Sequence, residues 1–320
     1  MKKRTIIALI VAVLLVVAGG MLVVLGISYA GDRPAESKLE RQEATFQESF
    51  DTIAIDTADC DVKFAMFSGR DDCMVEIRTY EQVRHNMVVE DGTLKIKMID
   101  ERNWSDHVGV FNMFGRIDSM EMTVYLPAAE YESLQIRTTT GDIALAQEPF
   151  FRDVVLRTNT GDISCTGISS DALDCMTSTG DISVYNSAPN MLKLQSNTGD
   201  FNVSTVAGGE IHMTTNTGAV DAENVNALMV TCKTETGDVE LEQVLADDYL
   251  QIRTDTGDVG VENCDAGRVD IETDTGDVSG HFLTSKWFSA FSDTGDVDVP
   301  NTPEGGECRI QSNTGDIHFQ

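Results

Sequence analysis

Residues 250–261 read LQIRTDTGDVGV, with apolar and polar side chains alternating on both sides of Gly257-Asp258. Leu250, Ile252, Thr254 and Thr256 precede the glycine at odd offsets, and Val259 and Val261 follow it at even ones. Side chains two residues apart share one side of an extended chain, so the pattern describes two short strands meeting at a corner. Glycine supplies the positive φ that a sharp turn needs, and aspartate can bond neighbouring backbone amides within such a turn.

The segment is one copy of a repeat. The glycine of a Thr-Gly-Asp-like tripeptide falls at Gly141, Gly161, Gly180, Gly199, Gly218, Gly237, Gly257, Gly276, Gly295 and Gly315, at spacings of 19 or 20 residues. Nine of the ten continue with aspartate and the fifth with Ala219, so the acid is useful but dispensable. A two-residue Gly-Asp hairpin would also put the flanking side chains on one face, which leaves a hairpin array as the alternative architecture. Hairpins tolerate drifting lengths between turns, whereas a solenoid needs coils of equal contour so that like positions stack about 4.8 Å apart. The constant spacing favours an all-β fold, a right-handed β-solenoid of the single-stranded parallel β-helix type, with ten coils of 19–20 residues over residues 134–320. Thr or Ser stands three residues and one residue before every glycine, with the parity of the core positions. Both columns are therefore expected inside, as hydroxyl ladders that satisfy buried corner amides.

Upstream, residues 1–4 form a basic tip, and Thr5 to Gly31 is a run of 27 residues without a charge. At about 1.5 Å of rise per residue the run exceeds a hydrocarbon core of roughly 30 Å, and it is longer than a secretory h-region of about 7–15 residues. A transmembrane signal anchor over residues 5–31 is expected, with cleavage after Ala30 as the alternative. The basic tip places the N-terminus in the cytoplasm and the remainder outside it. Residues 32–49 read as a polar stalk, and residues 50–133 as degenerate N-terminal coils or a cap. Within the latter, the loop 100–119 lacks periodicity and holds Trp104, Phe111 and Phe114, which either fold over the core or contact a partner. At the other end Gln320 follows Gly315 by five residues with nothing to cover the final coil, and an open edge predicts weak end-to-end self-association.

The formal net charge of -30 repels nucleic acid and anionic lipid, and it attracts cationic peptides and divalent cations. Four consecutive corners carry a second acid: Glu235 with Asp238, Asp255 with Asp258, Asp274 with Asp277, and Asp293 with Asp296. Carboxylates stacked about 5 Å apart repel, and calcium is the cation such a row would take. Calcium prefers about six to eight oxygens, more than this row supplies, so turn chemistry is the plainer reading and no other cofactor is expected. Seven cysteines without CxxC or Cys/His spacing argue against a zinc site or a disulfide scaffold. Five read as small core residues in unpaired columns, and Cys60 with Cys73 is the one pairing left open. The five histidines share no motif, and there is no nucleophile elbow or phosphate loop, so no enzyme is expected.

The Thr-x-Thr-Gly-Asp-Ile/Val repeats, the Val124-Tyr125-Leu126-Pro127 lead-in and the N-terminal anchor together resemble the bacterial putative-adhesin family of β-strand-repeat proteins, over residues 50–320. The resemblance implies a cell-envelope location, an adhesive or scaffolding role, and similarity to LiaG-like proteins linked with envelope-stress systems. It brings no catalytic residues. The expected partners are the membrane, through residues 5–31, and an envelope protein or polymer. A sensory component that collects cationic peptides or calcium, and a self-assembling solenoid, are the alternatives.

Overall fold

The alternation becomes strands because every coil presents aliphatic side chains at the same offsets, and each coil can bury them only against its neighbours. The computed structural model describes residues 39–67, 69, 71–101, 119–146 and 150–320, and every regular element among them is a β-strand. The basic tip 1–4, the predicted anchor 5–31 and the loop residues Trp104, Phe111 and Phe114 lie outside the described residues. Strands of successive coils pair in parallel with equal offsets stacked, so that Ile143, Ile163, Ile182, Phe201, Val220, Val239, Val259 and Val278 form one column. Parallel pairing from coil to coil, rather than antiparallel pairing across each Gly-Asp, makes the repeat a β-solenoid and not an array of hairpins.

Each coil turns first at its glycine. A Cβ on Gly218 would stand 2.0 Å from the carbonyl oxygen of Gly199, and one on Gly257 would stand 2.1 Å from that of Gly237. Close approach between coils thus excludes a side chain here, in addition to the φ of 153° at Gly218. The next corner falls at Asn186, Thr205, Asn224, Gln243 and Asn263, with φ between 49° and 57° and asparagine in three of the five. Asparagine is among the few residues that enter this left-handed region readily. Between corners the inward side chains, such as Val220, Ala222, Val230 and Cys232 in one coil, are buried.

Chain order and stack order differ at both ends. The N-terminal strands are β1 (Glu40–Phe46), β2 (Thr52–Asp56), β3 (Cys60–Phe67), β4 (Cys73–Thr79), β5 (Val83–Glu90), β6 (Thr93–Asp100), β7 (Met120–Pro127), β8 (Tyr131–Arg137) and β9 (Ile143–Ala146). The coil β2–β3 lies between the first repeat, β8–β9, and an outer coil, β6–β7, with all four pairings parallel. Antiparallel strands then close this end, β5 on β6, β4 on β7, and β1 on β4. At the far end the strand Gly306–Thr314 inserts between Val259–Thr275 and Lys286–Thr294. The coil of Gly315 is therefore an interior rung, and the coil of Gly295 ends the stack. This corrects the expectation of an uncovered final coil. Inside that end the rings of Phe282, Phe288 and Phe319 pack together, with 5.3 Å between the centroids of Phe282 and Phe319.

Two further expectations change. Residues 40–46, inside the stretch read as a stalk, form the edge strand β1, because Gln42, Ala44 and Phe46 are partly covered and Arg41 reaches Glu76 at 2.8 Å. Cys60 and Cys73 do not pair. Cys60 stands beside Met120 at one end of β7, whereas Cys73 precedes Met74, which pairs with Tyr125 near the other end. All seven cysteines are buried thiols, but the columns are not all separate. Cys165 and Cys175 meet across one coil, and their hydrogen bond, followed by burial, raises the Cys175 pKa.

Candidate functional site

The repeated corner is the obvious place to seek a site, and its hydrogen bonds are structural. The hydroxyl three residues before every glycine from Gly161 onward points inward and donates to the glycine carbonyl of the adjacent coil: Thr158 to Gly141 and Thr234 to Gly218, both at 3.1 Å. The hydroxyl one residue before the glycine is exposed in every repeat, which corrects the expectation of two internal ladders. The cause lies in the backbone. The amides of Glu235 and Thr236 both reach the Asn216 carbonyl, at 3.2 and 2.9 Å. Two residues over one acceptor make a bulge, and the alternation of faces is lost there.

The corner aspartate bonds across coils rather than within its own turn. Asp142 Oδ1 accepts from the Asp162 amide, Asp162 from Asp181, and Asp181 from Asp200, each at 2.8 Å. One further rung precedes Asp142 in this column. Asp61 Oδ1 accepts from the Asp142 amide at 3.0 Å, Thr138 Oγ1 donates to the Ala58 carbonyl at 2.8 Å with the Cys60 carbonyl at 3.4 Å, and a Cβ on Gly141 would stand 2.0 Å from that Cys60 oxygen as one on Gly218 would from Gly199. Thr57-Ala58-Asp59-Cys60-Asp61 is thus a corner with cysteine in the glycine position. A search keyed on glycine misses it, and only Thr57 and Asp61 at the right offsets signal it.

The acids singled out for a metal fall into two columns. Asp238, Asp258 and Asp277 each have one oxygen engaged by the amide of the adjacent coil at 2.8 Å. Glu235, Asp255, Asp274 and Asp293 lie exposed two residues before the glycines. The inserted coil breaks the expected row of four. Asn313 stands between Asp274 and Asp293, donating to Asp274 Oδ1 at 2.9 Å, and Asp316 stands between Asp277 and Asp296. Among the described residues no group of three or more His, Cys, Asp or Glu side chains is arranged to hold a metal ion.

A different feature emerges from the outward columns. From residue 134 onward the chain has nine Lys and Arg, and all nine lie in the part of a coil that runs up to a glycine. Several are neutralised there: Arg152 reaches Glu132 at 3.0 Å, Arg253 reaches Glu272 at 3.4 Å, and Arg157 pairs with Asp174. The short stretches between each glycine and the next corner carry Asp221, Glu223, Glu240, Glu242 and Glu262 outward, around a groove of about 660 Å³. Partial burial, and then Asp200 and Asp238, raise the Asp221 pKa; burial, and then Asp221 and Asp238, raise that of Glu240. This uncompensated face was missed from the sequence. The one-sided placement of the basic residues around the glycines is the signal that could have found it.

The family model "Toastrack DUF4097" matches residues 50–242 and 210–320. Among solved structures, a Bacteroides fragilis protein described as a putative adhesin is 11% identical, with 88% of this chain and 97% of that one covered and a TM-score of 0.42. A Parabacteroides merdae putative adhesin is 12% identical, covering 88% and 96% at a TM-score of 0.37. A Parabacteroides distasonis protein described as a putative lipid binding protein is 15% identical, covering 88% and 97% at a TM-score of 0.35. No curated protein matches the chain. The family model spans the first solenoid coil through the last residue, and on that match the chain belongs to the Toastrack DUF4097 family.

Proposed function

We propose that the chain is a non-enzymatic interaction module of the cell envelope, tethered through residues 5–31, whose acidic strand face holds a cationic partner. The observation that carries this reading is the segregation of charge: every Lys and Arg after residue 133 lies in the part of a coil that runs up to a glycine, while Asp221, Glu223, Glu240, Glu242 and Glu262 line the stretches just after a glycine without a cation among them. Like charges held on a rigid scaffold raise the local concentration of a cationic ligand and speed its capture, with a strength that falls as salt rises. The same field disfavours nucleic acid. An adhesive or scaffolding role and an envelope-stress sensor that collects cationic peptides both use this chemistry.

The test is titration of oligolysine into the full chain in detergent micelles. Binding is expected to weaken with salt and to drop at least tenfold when the five face acids are changed to Asn or Gln, with the circular dichroism spectrum unchanged. Equal binding by that variant would remove the proposal.

A further inference from the structure

The two ends of the solenoid are finished differently. One is closed by antiparallel strands, and its outermost strand β1 presents Arg41 and Glu43. The other ends on Lys286–Thr294, which pairs with Gly306–Thr314 along one side, and on the short strand Val297–Asp298, which pairs with Ile317–Phe319. Natural sheets blunt such an edge with outward charges, proline or bulges, because its free amides and carbonyls are a template for another strand. Here the outward side chains are Trp287, Ser289 and Phe291, with Trp287 52% and Phe291 57% exposed. The adjacent rung has Glu307 and Gln311 in those columns, and the rung after it Arg268 and Glu272. Aromatic rings thus replace charged or polar side chains at the edge itself. The one cation of the strand does not guard it: Lys286 is buried, bonds the Ala266 carbonyl at 2.7 Å and pairs with Asp265. The loop that follows touches the strand at its start, where the Thr302 hydroxyl bonds the Lys286 carbonyl.

We infer that Lys286–Thr294 is a self-association surface, through which two copies of the chain join end to end by antiparallel pairing about Ser289. The sequence of the strand is self-complementary in that register. Trp287 falls opposite Phe291 of the second copy, and Phe291 opposite Trp287, giving two aromatic cross-strand pairs on the outer face. On the inner face Phe288 falls opposite Ala290, large against small, which suits a core continued from one molecule into the next. A strand of unrelated sequence would not supply both matches. The opposing force is the acidic field, with Asp293, Asp296 and Asp298 near the junction, so association strengthens with salt, opposite to the cationic binding proposed above. The inference does not rest on that binding, whose neutralised variant leaves Trp287 and Phe291 intact.

Sedimentation velocity of the full chain in detergent micelles, over a range of protein concentration at low and high salt, tests it. A monomer–dimer equilibrium that tightens with salt is expected, weakened at least tenfold in the doubly substituted variant Trp287→Lys, Phe291→Lys. Should that variant misfold, Ser289→Cys gives an independent reading: mild oxidation is expected to capture it as a covalent dimer, and to leave Ser279→Cys, an exposed position away from the end, as monomer. The inference is overturned by a monomer under all conditions, by a dimer indifferent to the lysine substitutions, or by equal cross-linking of both cysteine variants. A monomer that sediments with phosphatidylcholine vesicles through Trp287 and Phe291 would assign the edge to lipid, and would likewise overturn it.

Discussion

The backbone amide of Ala219 donates to Asp200 Oδ1 at 2.8 Å, but Ala219 offers no carboxylate in return to the Asp238 amide of the next coil. One bond of an otherwise repeated ladder is missing at this corner. Ala219→Asn supplies a neutral acceptor without adding to the acidic column, and it is expected to stabilise the fold by about 1 kcal/mol, the net worth of one hydrogen bond. Thermal unfolding measures this, and a melting temperature at or below that of the parent protein would count against the ladder.

The two hydroxyl columns separate in the same way. Thr234 is buried and donates to the Gly218 carbonyl at 3.1 Å, whereas Thr236 is exposed. Thr234→Val is expected to cost about 1–3 kcal/mol by leaving a buried carbonyl short of a donor. Thr236→Val is expected to stay within about 0.5 kcal/mol of the parent, as surface changes usually do. Equal effects in urea titrations would contradict the inward and outward assignment.

His85, on β5 of the closed end, is 8% exposed, and neither ring nitrogen has a hydrogen-bond partner. Burial pushes its pKa down to about 4 from 6.5. Between those values the unfolded chain binds the proton and the folded chain does not, so stability falls as pH falls through this window. The full effect is about 3 kcal/mol at 1.36 kcal/mol per unit. Unfolding curves from pH 7 to pH 4 for the parent and His85→Met should diverge, with the parent losing more stability as the pH drops. Parallel curves would show that the histidine does not titrate on unfolding.

Burial raises the thiol pKa of Cys73, Cys232 and Cys308 to about 12 and that of Cys264 to about 11. The thiolate is the reactive form, so a maleimide probe at pH 8 is expected to leave the native protein unlabelled and to modify it once urea unfolds it. Labelling that keeps pace in native buffer would place those side chains outside the core.

Much of the fold was legible because a solenoid repeats one local solution. Gly257-Asp258 with its alternating flanks predicts two strands and a corner, and equal spacing predicts stacking. Legibility failed where the local pattern broke. The bulge over Asn216 turns Thr236 outward although its parity with Cys232 and Thr234 says inward. Cys60 holds a glycine position, and no glycine motif marks it. The acidic corners were legible as residues but not as neighbours, since Asn313 enters between Asp274 and Asp293 from farther along the chain.

By itself the sequence determined the period, the core columns and the strand class, since these follow from side-chain alternation and from coils of equal length. Only the tertiary structure decided which coil ends the stack. Strand pairing selects partners by register and apolar match rather than by order along the chain, so Gly306–Thr314 fits as well between two earlier coils as beyond them. That insertion leaves Trp287 and Phe291, and not the residues around Gly315, at the open edge.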